Sequence, residues 1–83
     1  MKRYTLIRFD RYEVSKSRVI YHYTHEHNIG LALKEALIQL WGKGEFEEFD
    51  MSEIKGFDNQ LGIDFEEESY LFFEDKIKLE NIK

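Results

Sequence analysis

Asn28-Ile29-Gly30-Leu31-Ala32-Leu33-Lys34-Glu35-Ala36-Leu37-Ile38-Gln39-Leu40-Trp41 is the stretch on which the fold turns. Asn28 carries a side-chain oxygen that can accept an orphan N–H of a first helical turn. Ile29, Ala32, Leu33, Ala36, Leu37 and Leu40 recur at helical spacing and form one apolar stripe, with Lys34, Glu35 and Gln39 facing water. Gly42 and Gly44 follow, and glycine reaches the left-handed conformation that closes a helix. The spacing therefore predicts one amphipathic helix packed on a sheet. Leu31 and Ile38 lie off the stripe and Trp41 borders it. These three are apolar beyond what a one-sided helix needs, and they form the candidate interface of a homodimer.

Strand patterns flank this helix. Tyr4 to Phe9 alternates, with apolar residues on both faces, which predicts an interior strand or one covered on both sides. Asp10 to Ser17 is polar and lacks the Asn-Gly signature of a tight hairpin, so a longer loop is expected. Arg18 to Thr24 is rich in β-branched and aromatic residues and predicts a second strand, with Val19, Tyr21 and Tyr23 on one face. After the helix, Glu45 to Phe49 is expected as a brief strand with Phe46 inward. Asp50 to Gly56 is expected as one helical turn stopped by Gly56. Leu61, Ile63 and Phe65 alternate with polar residues, Glu66 to Ser69 turns, and Tyr70 to Phe73 is a continuous apolar strand. Ile77 and Leu79 alternate with lysines and read as a last edge strand. The expectation is a single α+β domain over residues 1–83. It has a small, mostly antiparallel sheet of ββαβββ type with one main helix on one face.

Composition narrows the function classes. Aromatic residues make up 16% of the chain, enough to build a dense core in 83 residues and to argue against disorder. With no cysteine, no disulfide or thiolate zinc site is available, and the chain fits a reducing cytoplasm. No apolar run suits a membrane span, and the alternating N-terminal segment does not read as a signal peptide. The net charge of −5 is unevenly spread. Residues 1–43 hold eight Lys or Arg against four Asp or Glu, whereas residues 44–83 hold four against thirteen. An acidic half disfavours direct nucleic-acid binding and favours a basic protein surface as partner. Lys2, Arg3, Arg8, Arg11, Lys16 and Arg18 interleave with tyrosines, but a pI near 5.1 argues against a nucleic-acid-binding domain.

The acidic signal is densest in Glu45-Phe46-Glu47-Glu48-Phe49-Asp50 and Asp64-Phe65-Glu66-Glu67-Glu68. Carboxylates interleaved with Phe present negative charge from a rigid apolar base. Glu47, Glu48, Asp50, Glu66, Glu67 and Glu68 are the candidate partner-binding residues. Asp58 to Ser69 does not fit a calcium loop, because Ile63 stands where that loop needs glycine and Ser69 where it needs glutamate. His22, His25, Glu26 and His27 supply imidazole and carboxylate, the ligand types of zinc, nickel or copper, but not at HExxH spacing. They make a metal-binding protein an alternative reading, and no resident cofactor is expected. Gly42-Lys43-Gly44 is not a phosphate loop, and no serine sits in a nucleophile elbow. No enzyme is expected.

In size, acidity, lack of cysteine and order of elements, the chain resembles the small phage-encoded anti-defence proteins, among which the anti-CRISPR proteins are best known. That resemblance implies a stoichiometric inhibitor that blocks a nucleic-acid-binding surface on a host complex. The ββα opening also resembles HicB-type antitoxins, in which an Ala- and Leu-rich helix follows a strand hairpin. This second resemblance implies a small antitoxin or regulatory module acting as a homodimer.

Overall fold

Period-two alternation on either side of the helical stripe builds a five-stranded antiparallel sheet. The computed structural model describes residues 1–57 and 59–75. The strands are β1 (Lys2–Asp10), β2 (Arg18–Thr24), β3 (Lys55–Phe57), β4 (Gln60–Asp64) and β5 (Glu68–Glu74). Helices α1 (Ile29–Trp41) and α2 (Lys43–Glu48) lie between β2 and β3. The spatial order is β2-β1-β5-β4-β3, so the first and last described strands pair at the centre of the sheet.

The registers divide the residues between two faces. Tyr4 stands opposite His22 and Glu74, Leu6 opposite Ile20 and Phe72, and Tyr70 opposite Ile63. Tyr4, Leu6, Ile63, Tyr70 and Phe72 share one core with Ala32, Leu33, Ala36 and Leu37 of α1, and Ile20 packs against it. Tyr4 and Phe72 stack with their rings 5.1 Å apart. Each large ring buried here removes apolar area from water at about 25 cal/mol per Å2, which is how so short a chain holds a fold. On the opposite face, Thr5 stands between Tyr21 and Phe73, and Ile7 between Val19 and Leu71.

Local chemistry fixes the helix ends. The Leu31 N–H donates to Asn28 Oδ1 at 3.1 Å. Gly42 ends α1 at φ 90°, a backbone conformation that strains any side chain, and its N–H donates to the Ile38 carbonyl. The β1–β2 connection holds a 3-10 turn, Val14–Lys16, organised by Asp10. The Asp10 Oδ1 accepts the N–H groups of Tyr12 and Glu13, and these bonds hold its carboxyl below the usual range.

Two local expectations are corrected. Glu45 to Phe49 is not a strand: residues Lys43–Glu48 form α2. Its apolar residues, Phe46 and Phe49, are three apart. Helical turning puts both toward the core, where their rings lie 6.3 Å apart, whereas strand alternation would separate them. Gly56 does not stop a helical turn. That turn is the 3-10 segment Met51–Glu53, capped by Asp50, and Gly56 lies within β3 opposite Leu61. A Cβ at Gly56 would meet the Leu61 side chain at 3.0 Å. The expected strand around Ile77 and Leu79 lies outside the described residues.

Candidate functional site

Four aromatic side chains from four segments meet beside the C-terminal end of α1. Trp41 ends the helix, Phe49 follows α2, Phe65 follows β4, and Tyr70 lies in β5. The Trp41 ring is 5.4 Å from Phe49, 6.0 Å from Phe65 and 5.6 Å from Tyr70. Phe49 and Phe65 meet edge-on at 5.8 Å. Edge-to-face contacts of this kind join a ring's positive rim to its neighbour's negative face, which fixes the cluster's geometry.

A hydrogen-bonded relay locks the cluster. Trp41 Nε1–H donates to Tyr70 Oη at 3.2 Å, and Tyr70 Oη–H donates to Glu68 Oε1 at 2.8 Å. Arg8 Nε–H donates to the other carboxylate oxygen, Glu68 Oε2, at 2.7 Å. Burial pushes the Tyr70 hydroxyl up to about 12. The hydroxyl therefore stays protonated and serves as both acceptor and donor.

These rings line a groove of about 770 Å3. Glu45, Glu48, Asp50 and Glu53 line it from the α2 side, and Asp64, Glu66 and Glu68 from the sheet side. Arg8 is the one cation lining the groove among the described residues, and Glu68 already pairs with it. Asp64 is likewise held, by Arg11 and by the Ser69 hydroxyl. Carboxylates around a low-dielectric floor focus a negative field into the groove. The faces of half-buried Trp41, Phe49 and Phe65 add the quadrupole attraction that aromatic rings offer to cations. The site is chemically suited to guanidinium or ammonium groups, and it repels phosphate.

Of the six carboxylates singled out from sequence, Glu48, Asp50, Glu66 and Glu68 line the groove, and Glu47 and Glu67 do not. Glu67 instead presents its carbonyl to the Arg11 N–H at 3.1 Å. Asp50 accepts the Ser52 N–H at 2.9 Å, and this bonding holds its carboxyl below the usual range. Sequence reasoning missed Glu45, Glu53, Asp64 and the aromatic floor. The signal that would have exposed Glu45 is the three-residue spacing of Phe46 and Phe49, which makes α2 a helix and turns Glu45 to the same side as Glu48.

The two other candidate sets are dispersed. Leu31 is 49% exposed, but Ile38 and Trp41 pack against the core of their own chain. The three therefore do not form one free apolar face. His22 is buried and lies 3.0 Å from Glu35 Oε1, while His25 and His27 are exposed. The Thr24 hydroxyl donates to the same Glu35 oxygen at 2.6 Å, and these two contacts hold the Glu35 carboxyl below its usual range. Glu26 is engaged locally: its Oε1 accepts the Asn28 N–H and its carbonyl accepts the Tyr4 hydroxyl. Alternation along β2 and the turn after it separate the histidines. Among the described residues no group of three or more His, Asp or Glu side chains is placed to hold a metal ion.

No protein-family model, curated protein or solved structure matches the chain. Among the described residues no helix is long and apolar enough to cross a membrane.

Proposed function

We propose that this chain is a non-enzymatic inhibitor that docks its acidic groove on a basic surface of a nucleic-acid-handling protein, in the manner of anti-defence proteins. One observation carries the reading. Among the described residues, seven carboxylates ring a floor of aromatic residues in a groove whose single lining cation is already paired. A basic partner surface satisfies both parts of that site. Its lysines or arginines meet the carboxylates, and an arginine entering the groove stacks on the Trp41 ring. Such a surface ordinarily neutralises phosphates. Occupying it with carboxylates on a rigid base therefore excludes the nucleic acid. Glu48, Glu66 and Glu45 lead the interaction, because among the described residues none of them is bound up in an ion pair or cap as Glu68, Asp64 and Asp50 are.

The test is capture from a lysate of the native host. Immobilised wild-type chain is expected to retain a basic nucleic-acid-binding protein, released by salt and by competing duplex oligonucleotide. The triple variant Glu45→Lys, Glu48→Lys, Glu66→Lys is expected to retain none. Equal retention by the variant, or retention indifferent to salt and oligonucleotide, would sink the reading.

A further inference from the structure

The floor and the walls of the groove are neighbours in the chain. Glu48 precedes Phe49 at the end of α2, and Glu66 follows Phe65 just beyond β4; all four line the groove. Backbone hydrogen bonds hold both steps. The Phe49 N–H donates to the Phe46 carbonyl at 3.0 Å, and the Phe65 N–H to the Glu68 carbonyl at 2.8 Å. The two rings meet edge-on, with Trp41 against both. Each ring of this pair therefore has a carboxylate beside it, and among the described residues neither Glu48 nor Glu66 is held in an ion pair. The two groove carboxylates that are ion-paired are both paired with arginine. Glu68 accepts the Arg8 Nε–H at 2.7 Å. Asp64 pairs with Arg11, whose guanidinium also donates to the Ser69 hydroxyl at 2.8 Å.

Resting on the docking proposed above, we infer that the groove selects arginine over lysine on its partner, a guanidinium lying flat on the rings with Glu48 and Glu66 accepting at its edge. Either cation satisfies the negative field of the groove, so charge alone does not choose between them. Shape and hydration do. A guanidinium is planar, carries its five donors in its own plane and is weakly hydrated. It can press a face against an aromatic ring and still donate sideways to carboxylates. An ammonium is a compact, strongly hydrated point charge. Contact with the rings strips water from it, and its donors diverge from one atom, so carboxylates at the sides replace that water only in part. Arg11 already uses the forked geometry at the groove's edge, where it bonds a carboxylate and a hydroxyl at once. The partner is thus a basic surface that presents an arginine side chain, and lysine in its place loses the contact with the floor.

Calorimetric titration of the full chain with oligoarginine and oligolysine peptides of equal length, at one salt concentration, tests the selection. The wild type is expected to bind oligoarginine about tenfold tighter, the scale of a partly desolvated cation–ring contact. Phe65→Leu keeps an apolar floor and removes a ring. It is expected to bring the two peptides within about twofold of each other, by weakening oligoarginine and leaving oligolysine unchanged. Phe49→Leu is expected to do the same, and it serves where the circular dichroism of Phe65→Leu departs from wild type. Aromatic NMR of the wild type reads the contact without substitution: oligoarginine is expected to shift the Trp41, Phe49 and Phe65 ring signals and to leave Phe9 and Tyr21, on the opposite face of the sheet. Equal affinity of the wild type for both peptides overturns the selection and leaves docking on a basic surface standing. A preference kept in both variants overturns it as well, because the preference then belongs to the peptide and not to the rings, and so do shifts at Phe9 and Tyr21 in place of the groove. Binding of neither peptide removes the docking itself, and the selection with it.

Discussion

The two faces of the sheet are built from the same strands and differ in what covers them. Under α1, Tyr4, Leu6 and Phe72 are shut away from water together with Leu33 and Leu37. On the other side Phe9, Val19, Tyr21 and Tyr23 stay about half exposed. Composition alone does not separate the two, since both carry aromatic and β-branched residues. What separates them is the second layer. Stability is therefore concentrated under the helix.

The sharpest way to break this comparison is a pair of truncations. Phe72→Ala is expected to lose about 3–5 kcal/mol of stability, through lost burial and the cavity left beneath Tyr4. Phe9→Ala, measured by urea unfolding in dilute solution, is expected to fall within about 0.5 kcal/mol of wild type. Similar losses for both would mean that the open face is closed within the chain.

Next in size is the relay below the groove. Tyr70→Phe leaves the Trp41 indole N–H without its acceptor, and a loss of roughly 1–3 kcal/mol is expected. The same variant carries a pH signature. In the unfolded chain the Tyr70 hydroxyl ionises near 10.0, and in the fold near 12. Between those values the folded state keeps a proton that the unfolded state has released, so stability falls as pH rises through that window. Urea unfolding in this alkaline range is expected to show a shallower decline for Tyr70→Phe than for wild type.

The smallest effect belongs to Glu35, whose side chain is 46% exposed. The Thr24 hydroxyl and the His22 ring hold its carboxyl below the ordinary 4.5. The unfolded chain takes up this proton first as pH falls, so the stability that Glu35 contributes is present above 4.5 and lost below it. Melting temperature followed from about pH 5 to about pH 3 is expected to fall less steeply in Glu35→Gln.

Much of the architecture was legible in the chain. The limits of α1 follow from a cap at Asn28, an apolar stripe and a glycine, and β2 follows from β-branched and aromatic alternation. Apolar residues on both faces of Tyr4 to Phe9 marked β1 as an interior strand or one covered on both sides, and it lies between β2 and β5. The misreading of α2 came from taking Phe46 alone; the partner that decides its period is Phe49. The groove was less legible, because Trp41, Phe49, Phe65 and Tyr70 come from four segments that only the tertiary fold brings together. Nor do the basic and acidic halves of the sequence make separate faces. Arg8 and Arg11, from the basic half, pair with Glu68 and Asp64 from the acidic one. Pairing across the sheet settles local charge.

The groove contains its own reporter, since Trp41 is the sole tryptophan and forms part of its floor. Titration with an oligoarginine peptide, followed by Trp41 fluorescence, tests most directly whether the groove takes cationic groups. The account predicts a saturable change in emission that weakens as salt is added and is lost in the Glu45→Lys, Glu48→Lys, Glu66→Lys variant. Emission unchanged by the peptide, or changed equally in that variant, would contradict it.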